Sequence, residues 1–358
     1  MADKLRLGIV GVGGIFNGCH AKPWLAHPEV EIVALCDVVK EKADKFASAH
    51  NIKHVFTDYR QMLAEVELDA VDICTPNLFH SEIAIAALDK GVHAFTEKPD
   101  AVSPAEAQKM ADAARRSGKV LMAMRNNRFT PQAQFLKKYI AAGRMGDIYT
   151  GRCGWIRRRG IPGKGGWFTT KALSGGGPLI DLGVHMLDVA IWLMGDPRPV
   201  AVVGATYRKF AEAGDASDSA HSGFGETKAG GTFDVEDLAT GFIRFANGAS
   251  LQIEFSWASN IEQETNFVEL RGSKAGFHLE NMQGTLKIFT ETDGTLVDIV
   301  PKATLAGPHQ HGANLHHFID VVKGRAEPTM RPEHGVEMIK ILSAIYESAQ
   351  TGSEVKLG

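Results

Sequence analysis

The chain of 358 residues is poor in cysteine, in charge of one sign and in long apolar runs. Its four cysteines are Cys19, Cys36, Cys74 and Cys153, and the nearest two lie 17 positions apart. There is accordingly no CxxC pair and no zinc-ligand spacing. Cys36 and Cys74 sit inside apolar runs with strand character, where a thiol serves as a small buried apolar group. That usage fits a reducing cytoplasm. Lys and Arg number 39 against 42 Asp and Glu, a formal net charge of −3. No basic surplus therefore points to nucleic acid or to an anionic membrane surface. No run approaches the ~20 apolar residues that a membrane span needs. The opening MADKLRLGIV enters a strand too early for a signal peptide, so none is expected.

What is plentiful is glycine, 38 residues or about 11% against roughly 7% in ordinary chains. The hydrophobic share of 44% supports real cores, and the length predicts about two domains. Residues 5 to about 125 alternate short apolar strands with helical segments. The strands are Leu5–Val10, Glu31–Cys36, Ala70–Cys74, Val92–Thr96 and Val120–Met124. That alternation predicts a doubly wound parallel sheet of the Rossmann type. Beyond it the spacing predicts helices at Pro131–Ala142 and Leu179–Met194. Strands are predicted at 148–158, 200–207, 238–245, 249–257, 266–271, 276–280, 285–290 and 296–300. Turn pairs such as Asn247-Gly248 and Asp293-Gly294 predict an open, mostly antiparallel sheet. Helices near 313–323 and 334–350 complete this α+β part. The expected domains are 1–125 and 126–358. The polar, glycine-rich stretch 214–234 is either a plain loop or an active-site lid.

The first strand runs into Gly11-Val12-Gly13-Gly14-Ile15-Phe16, a GxG followed by Phe16 where the dinucleotide fingerprint prefers a small residue. The glycines permit a tight turn and close approach of a pyrophosphate at a helix N-terminus. Phe16 has to point away from the close helix–strand contact. Asp37 ends the second strand, 24 residues after Gly13. A carboxylate there accepts from an adenosine ribose and repels a 2′-phosphate, favouring NAD over NADP. Lys40 is the residue that could reach such a phosphate instead, and Asp37 could alternatively cap the following helix.

Lys98, in Glu97-Lys98-Pro99, follows another strand at its carboxyl end, where open parallel sheets bind ligands. Such a lysine can hold a substrate hydroxyl or exchange a proton once its pKa is lowered. In the apolar run from Leu179, Asp181, His185 and Asp188 fall at i, i+4 and i+7, on one helix face. Buried polar groups need partners, and His185 can move a proton near neutral pH. Arg128, Trp155, Arg157-Arg158-Arg159, Lys164, Trp167 and Phe168 precede this helix, and suit sugar C–H faces and hydroxyls. The arginine run could equally be a solvated strand face. His309, His311, His316 and His317 lack the carboxylates or cysteines that would complete a metal site, and no metal is expected. His316 or His317 could instead face a substrate.

These motifs, in this order and at these separations, resemble the Gfo/Idh/MocA oxidoreductases over nearly the whole chain. The resemblance rests on the glycine turn with His20 after it, Thr75-Pro76-Asn77 with His80, and Glu97-Lys98-Pro99. It rests further on Asn127-Arg128-Phe129 and on Gly175-Gly176-Gly177 leading to Asp181, Gly183, His185 and Asp188. It implies a Rossmann domain followed by an α/β domain whose open sheet often mediates homodimers or homotetramers. It implies Lys98, Asp181 and His185 as the catalytic group, with a cis Lys98–Pro99 bond. Cofactor contacts are expected from Gly11, Gly13, Gly14, Ile15, Asp37, Thr75, Pro76, Asn77, His80 and Glu97. Substrate contacts are expected from Arg128, Trp167, Phe168, Asp188 and His316. The implied activity is hydride transfer between NAD and a hydroxyl carbon of a sugar, polyol or glycoside. Two rivals stay open, an enzyme that retains NAD and oxidises a glycoside transiently, and a nucleotide-sensing subunit without catalysis.

Overall fold

In the computed structural model, residues 4–211, 225, 227–302 and 309–358 are described. Two compact units divide the chain. The first comprises Met1–Met124 together with Gly307–Ile339, and the second Arg125–Ala306 together with Lys340–Gly358. The expected second domain ran unbroken to residue 358, whereas residues 307–339 cluster with the first unit.

The first unit holds β1 (Leu5–Val10), α1 (Ala21–Ala26), β2 (Val30–Cys36), α2 (Lys40–His50), β3 (His54–Phe56) and α3 (Tyr59–Glu65). It continues through β4 (Ala70–Ile73), α4 (His80–Asp89), β5 (His93–Thr96), α5 (Pro104–Ser117) and β6 (Leu121–Ala123). The six strands are parallel in the order β3-β2-β1-β4-β5-β6. The order reverses between β1 and β4, so ligands are expected outside the carboxyl ends at that point. Local chemistry sets the helix ends. Ser103 Oγ accepts from Glu106 N with Pro104 inside the first turn of α5, a cap contributing ~1 kcal/mol. Gly118, at φ +65°, closes the same helix.

The core of this unit contains Leu7, Ile9, Leu35 and Phe95, all fully buried. A helix from far along the chain completes it. Leu315, Phe318 and Ile319 of α9 (Gln310–Val322) join that core cluster, and the Phe318 ring meets Phe95 edge-on at 5.3 Å. The apolar stripe of α9 thus explains why residues 307–339 belong here.

The second unit holds α6 (Pro131–Ala141), β7 (Ile148–Ile156), α7 (Lys171–Ser174), α8 (Val184–Leu193) and β8 (Pro199–Tyr207). Strands β9 (Leu238–Phe245), β10 (Ser250–Ser256), β11 (Thr265–Gly272), β12 (Ala275–Glu280), β13 (Leu286–Thr292) and β14 (Thr295–Ile299) follow. After α10 (Pro332–Thr351), which spans the division at Ile339, β15 (Val355–Lys356) adds the last strand. The nine-stranded order is β14-β13-β12-β11-β7-β10-β9-β8-β15. Only β7–β10 is a parallel pair, so the sheet is mixed and mostly antiparallel. Period-2 alternation sends Cys153, Leu251 and Val268 into the core. The opposite face carries Phe242, Gln252, Arg152, Glu269, His278 and Lys287 side by side across neighbouring strands. Lys171–Leu193 is long and apolar enough to cross a membrane by composition, but its most apolar window is 83% buried within the protein, as a core helix is.

Candidate active site

At the carboxyl end of β1, Gly11 adopts φ +94°, and a Cβ there would lie 2.6 Å from the Cys74 carbonyl oxygen. Only glycine fits this close approach to the end of β4. By contrast, a Cβ on Gly13 or Gly14 would meet no protein atom within 4 Å, which leaves open space where a pyrophosphate can approach the backbone. Ile15 leans on the core. Phe16 is fully buried, its ring edge-on to Phe46 of α2 at 5.0 Å. A π-helical turn over Phe16–His20 carries this bulky residue at a site where a small one is usual.

Asp37 does not cap α2, whose N-cap is Val39. Its Oδ2 accepts from Val12 N and its Oδ1 from Val39 N, both at 2.8 Å. The carboxylate therefore ties the glycine turn to the end of β2 and keeps lone pairs for a ribose. Lys40 is paired with Asp44 at 2.7 Å, which occupies the ammonium that could otherwise meet a 2′-phosphate. Thr75 Oγ1 is buried without a hydrogen-bond partner, and Pro76 and buried Asn77 begin the turn that leads into α4. These residues fit NAD.

His80 bridges two loops. Its Nδ1 lies 2.7 Å from the Pro99 carbonyl and its Nε2 2.9 Å from the Thr75 carbonyl. Burial lowers its pKa, partly offset by those carbonyls. The Lys98–Pro99 bond is cis. Lys98 is partly exposed between buried Glu97 and buried Pro99.

Under this turn lies a charged network that the sequence did not disclose. His20 Nδ1 is 2.8 Å from Asp72 Oδ2, and its Nε2 is 2.8 Å from Glu97 Oε1. Trp24 Nε1 donates to Asp72 Oδ2 at 2.7 Å. Burial opposes an imidazolium here, yet the Asp72 carboxylate, with Cys74 beside it, raises His20 well above its ordinary pKa. Burial likewise works against ionised Glu97, but the hydrogen bond and charge of His20 hold it far below the usual carboxylate range. Its second oxygen accepts from Lys98 N at 3.1 Å. Glu97, expected to touch the cofactor, is thus anchored inward. Among the described residues, His20, Asp72 and Cys74 are the group close enough to share a metal ion. The His20–Asp72 hydrogen bond already spends that geometry, and burial pushes the Cys74 thiol up, away from the thiolate a metal needs.

In the second unit, a π-helical turn over Leu179–Gly183 precedes α8. Asp181 and His185 are its partly exposed polar side chains. Trp257 Nε1 donates to Asp181 Oδ2 at 3.0 Å, and the His185 ring lies 6.4 Å from that of Trp155. Glu236 fixes the approach. Its carboxylate accepts from Gly177 N, Leu179 N and Tyr346 Oη at 2.9, 3.1 and 2.8 Å.

Asp188 departs from the expected common face. It is 3% exposed, and its Oδ1 accepts from Arg125 Nε at 2.9 Å. Arg128 grips both oxygens at 2.7 Å. The two guanidiniums hold Asp188 in the interior. The expected substrate contacts of Arg128 and Asp188 are therefore corrected to a buried ion pair. Phe168 is buried beneath Trp167, ring centroids 3.8 Å apart, which leaves Trp167 as the partly exposed member. His316 belongs to the first unit and packs edge-on against His27 at 4.5 Å. His317 Nε2 accepts from Thr329 N at 3.2 Å. His309 and His311 stack on each other at 5.6 Å.

The arginine run is solvated in part, with Arg158 exposed and Arg159 partly exposed. Arg157 is buried, Arg158 donates to the Glu262 carbonyl, and Arg159 donates to the Ser259 carbonyl and to Asn260. Within the stretch 214–234, residues 214–224 and 226 lie outside the described residues. Its end is pinned down. Lys228 N donates to the Lys164 carbonyl, and Thr169 Oγ1 donates to the Thr232 carbonyl.

A glycine turn opening onto free space and an acid at the second strand's end, in a parallel sheet of this order, define a dinucleotide-binding oxidoreductase. Sequence profiles agree. Residues 5–124 match an oxidoreductase family with an NAD-binding Rossmann fold, and residues 137–357 match that family's C-terminal alpha/beta domain. The chain belongs to the Gfo/Idh/MocA oxidoreductase family. It is 36% identical over 357 residues to D-glucoside 3-dehydrogenase of Escherichia coli K12, covering 99% of this chain and 98% of that protein. Levoglucosan dehydrogenase of Pseudarthrobacter phenanthrenivorans is 30% identical over 288 residues, 76% of this chain and 72% of that protein. The solved complex of a levoglucosan dehydrogenase with NADH superposes with a TM-score of 0.86 at 24% identity, over 99% of this chain and 100% of that one. The protein is an NAD-dependent oxidoreductase acting on CH–OH groups.

Proposed function

We propose that the protein oxidises a ring hydroxyl of a sugar or glycoside, with Lys98, Asp181 and His185 as the catalytic group. One observation carries the reading. In a helical run that is buried apart from them and Ile191, Asp181 and His185 reach partial exposure, and Asp181 is anchored by Trp257. The names of the relatives support a sugar as substrate. His185 takes the proton of the reacting hydroxyl. The Asp181 carboxylate favours the imidazolium so formed. The Lys98 ammonium holds the oxygen as its charge grows. The hydride acceptor for the carbinol carbon would be supplied by NAD held at the glycine turn and Asp37. Trp167 is retained as a substrate contact.

The open face of the second sheet, with Phe242 partly exposed and Val203 and Phe289 exposed, supports a homodimer or homotetramer, which light scattering tests. Lys98→Met is the test of the catalytic assignment. It keeps NAD binding and lowers turnover on a sugar and glycoside panel by a factor on the order of 10² or more. Turnover near wild type in that variant overturns the assignment. Net NADH release in the same panel separates a freely exchanging enzyme from one that retains its nucleotide.

A further inference from the structure

Trp155 was grouped with the residues before α8 but was not assigned a contact. The register of β7 puts it on the covered face of the sheet, in line with Cys153 and opposite Phe255 of β10. It is the next side chain on that face after fully buried Cys153, yet it stays partly exposed. Its surroundings hold it rigidly. The indole Nε1 donates to Glu264 Oε1 at 2.9 Å. The Arg157 guanidinium stands over the ring at 5.1 Å from its centroid. The ring lies 6.4 Å from that of His185, tilted by 50°. Nothing the size of a sugar fits between rings at that distance. A ligand resting on the indole therefore has its edge beside the imidazole.

Arg157 adds a second, independent sign. Its Nε is buried and has no hydrogen-bond partner, with the nearest Glu264 oxygen 3.8 Å away. Its Nη1 is already used by the Gly160 carbonyl at 3.0 Å. The guanidinium, paired with Glu264, has further N–H donors beside the indole that can meet a hydroxyl oxygen. An aromatic face beside a donor suits a ring with one apolar C–H face and equatorial hydroxyls.

The geometry points to Trp155 and Arg157 as the subsite for the pyranose ring, where the indole carries its C–H face and the Arg157 guanidinium takes a hydroxyl. This rests on the sugar-oxidising role proposed above. It makes Trp155 a specificity-determining residue, selecting closed pyranosides over open-chain polyols that present no flat C–H face.

The test compares wild type, Trp155→Phe, Trp155→Ala and Arg157→Lys on methyl glucopyranosides and on an acyclic hexitol. Dissociation constants for the same ligands are measured on the NADH-bound enzyme by nucleotide fluorescence. Trp155→Ala should raise KM and Kd for pyranosides up to about tenfold, and by more than for the hexitol, while leaving NAD binding unchanged. Trp155→Phe should recover part of the loss, which a merely structural tryptophan would not make ligand-selective. Pyranoside KM and Kd unchanged in Trp155→Ala, with the wild type active, overturn the subsite alone. A wild type inactive on every sugar and glycoside overturns the function proposed above.

Discussion

Asp188 offers the sharpest test of which polar groups build the site and which meet the substrate. Replacing it by Asn keeps the shape and removes one charge. In the native protein this carboxylate faces Arg125 and Arg128 through three hydrogen bonds of 2.7–2.9 Å, with all three side chains buried. Asp188→Asn removes the carboxylate charge that the two buried guanidiniums share. Breaking a buried pair from one side costs about 3–5 kcal/mol. For a unit of this size that lowers the melting temperature by roughly 6–20 °C. Urea unfolding followed by tryptophan fluorescence measures it directly. Burial alone would raise the Asp188 pKa, but Arg128 and Arg125 outweigh it and hold the carboxyl below the usual range. A depressed carboxylate contributes its stability above its unfolded pKa of ~3.9 and loses it as pH falls through the lower folded value. The difference between wild type and variant is therefore flat from neutral pH upward and narrows only in acid. An Asp188→Asn protein as stable as wild type, with KM raised, would refute the buried-pair reasoning and restore Asp188 as a substrate contact.

Three substitutions in the first unit have defined outcomes. Gly11→Ala, at φ +94° and 2.6 Å from the Cys74 carbonyl, should cost stability by at least about 1–2 kcal/mol and weaken NAD. Gly13→Ala meets no protein atom, so it should weaken NAD at unchanged stability, and wild-type NAD affinity in Gly13→Ala would remove the pyrophosphate from that space. For His20→Asn, the linkage has the opposite sign to Asp188. A His whose folded pKa is raised contributes fully below its unfolded value of ~6.5 and loses that contribution as pH climbs through the folded value. The gap between wild type and His20→Asn in urea should therefore be widest in mild acid and shrink in alkali, and a gap that grows with pH would mean His20 is buried neutral.

Most of the sheet architecture was legible because strands alternate and turns carry glycine. The spacing places a strand at 238–245, where β9 runs. The glycine turn and Asp37 were legible as a local pattern of strand, turn and acid. The His20 network was not, because its members lie 52 and 77 positions apart and only the parallel stacking of β1, β4 and β5 brings them together. The ion pair of Asp188 was not legible because Arg125 and Arg128 lie 63 and 60 positions away in the sequence. The place of α9 was not legible, because helical periodicity identifies the helix without revealing which core it serves.

That last point bears on biosynthesis. The first unit begins at the first strand but receives Leu315, Phe318 and Ile319 only from α9. A ribosome making ~5–20 residues per second exposes the Rossmann sheet long before α9 leaves the exit tunnel. During that interval the apolar surface around Phe95, which Phe318 later covers, has no native cover. The nucleotide-binding half, first to be made, is thus among the last to be finished. A fragment ending at Met124 should emerge as a client for chaperones rather than as a free-standing domain.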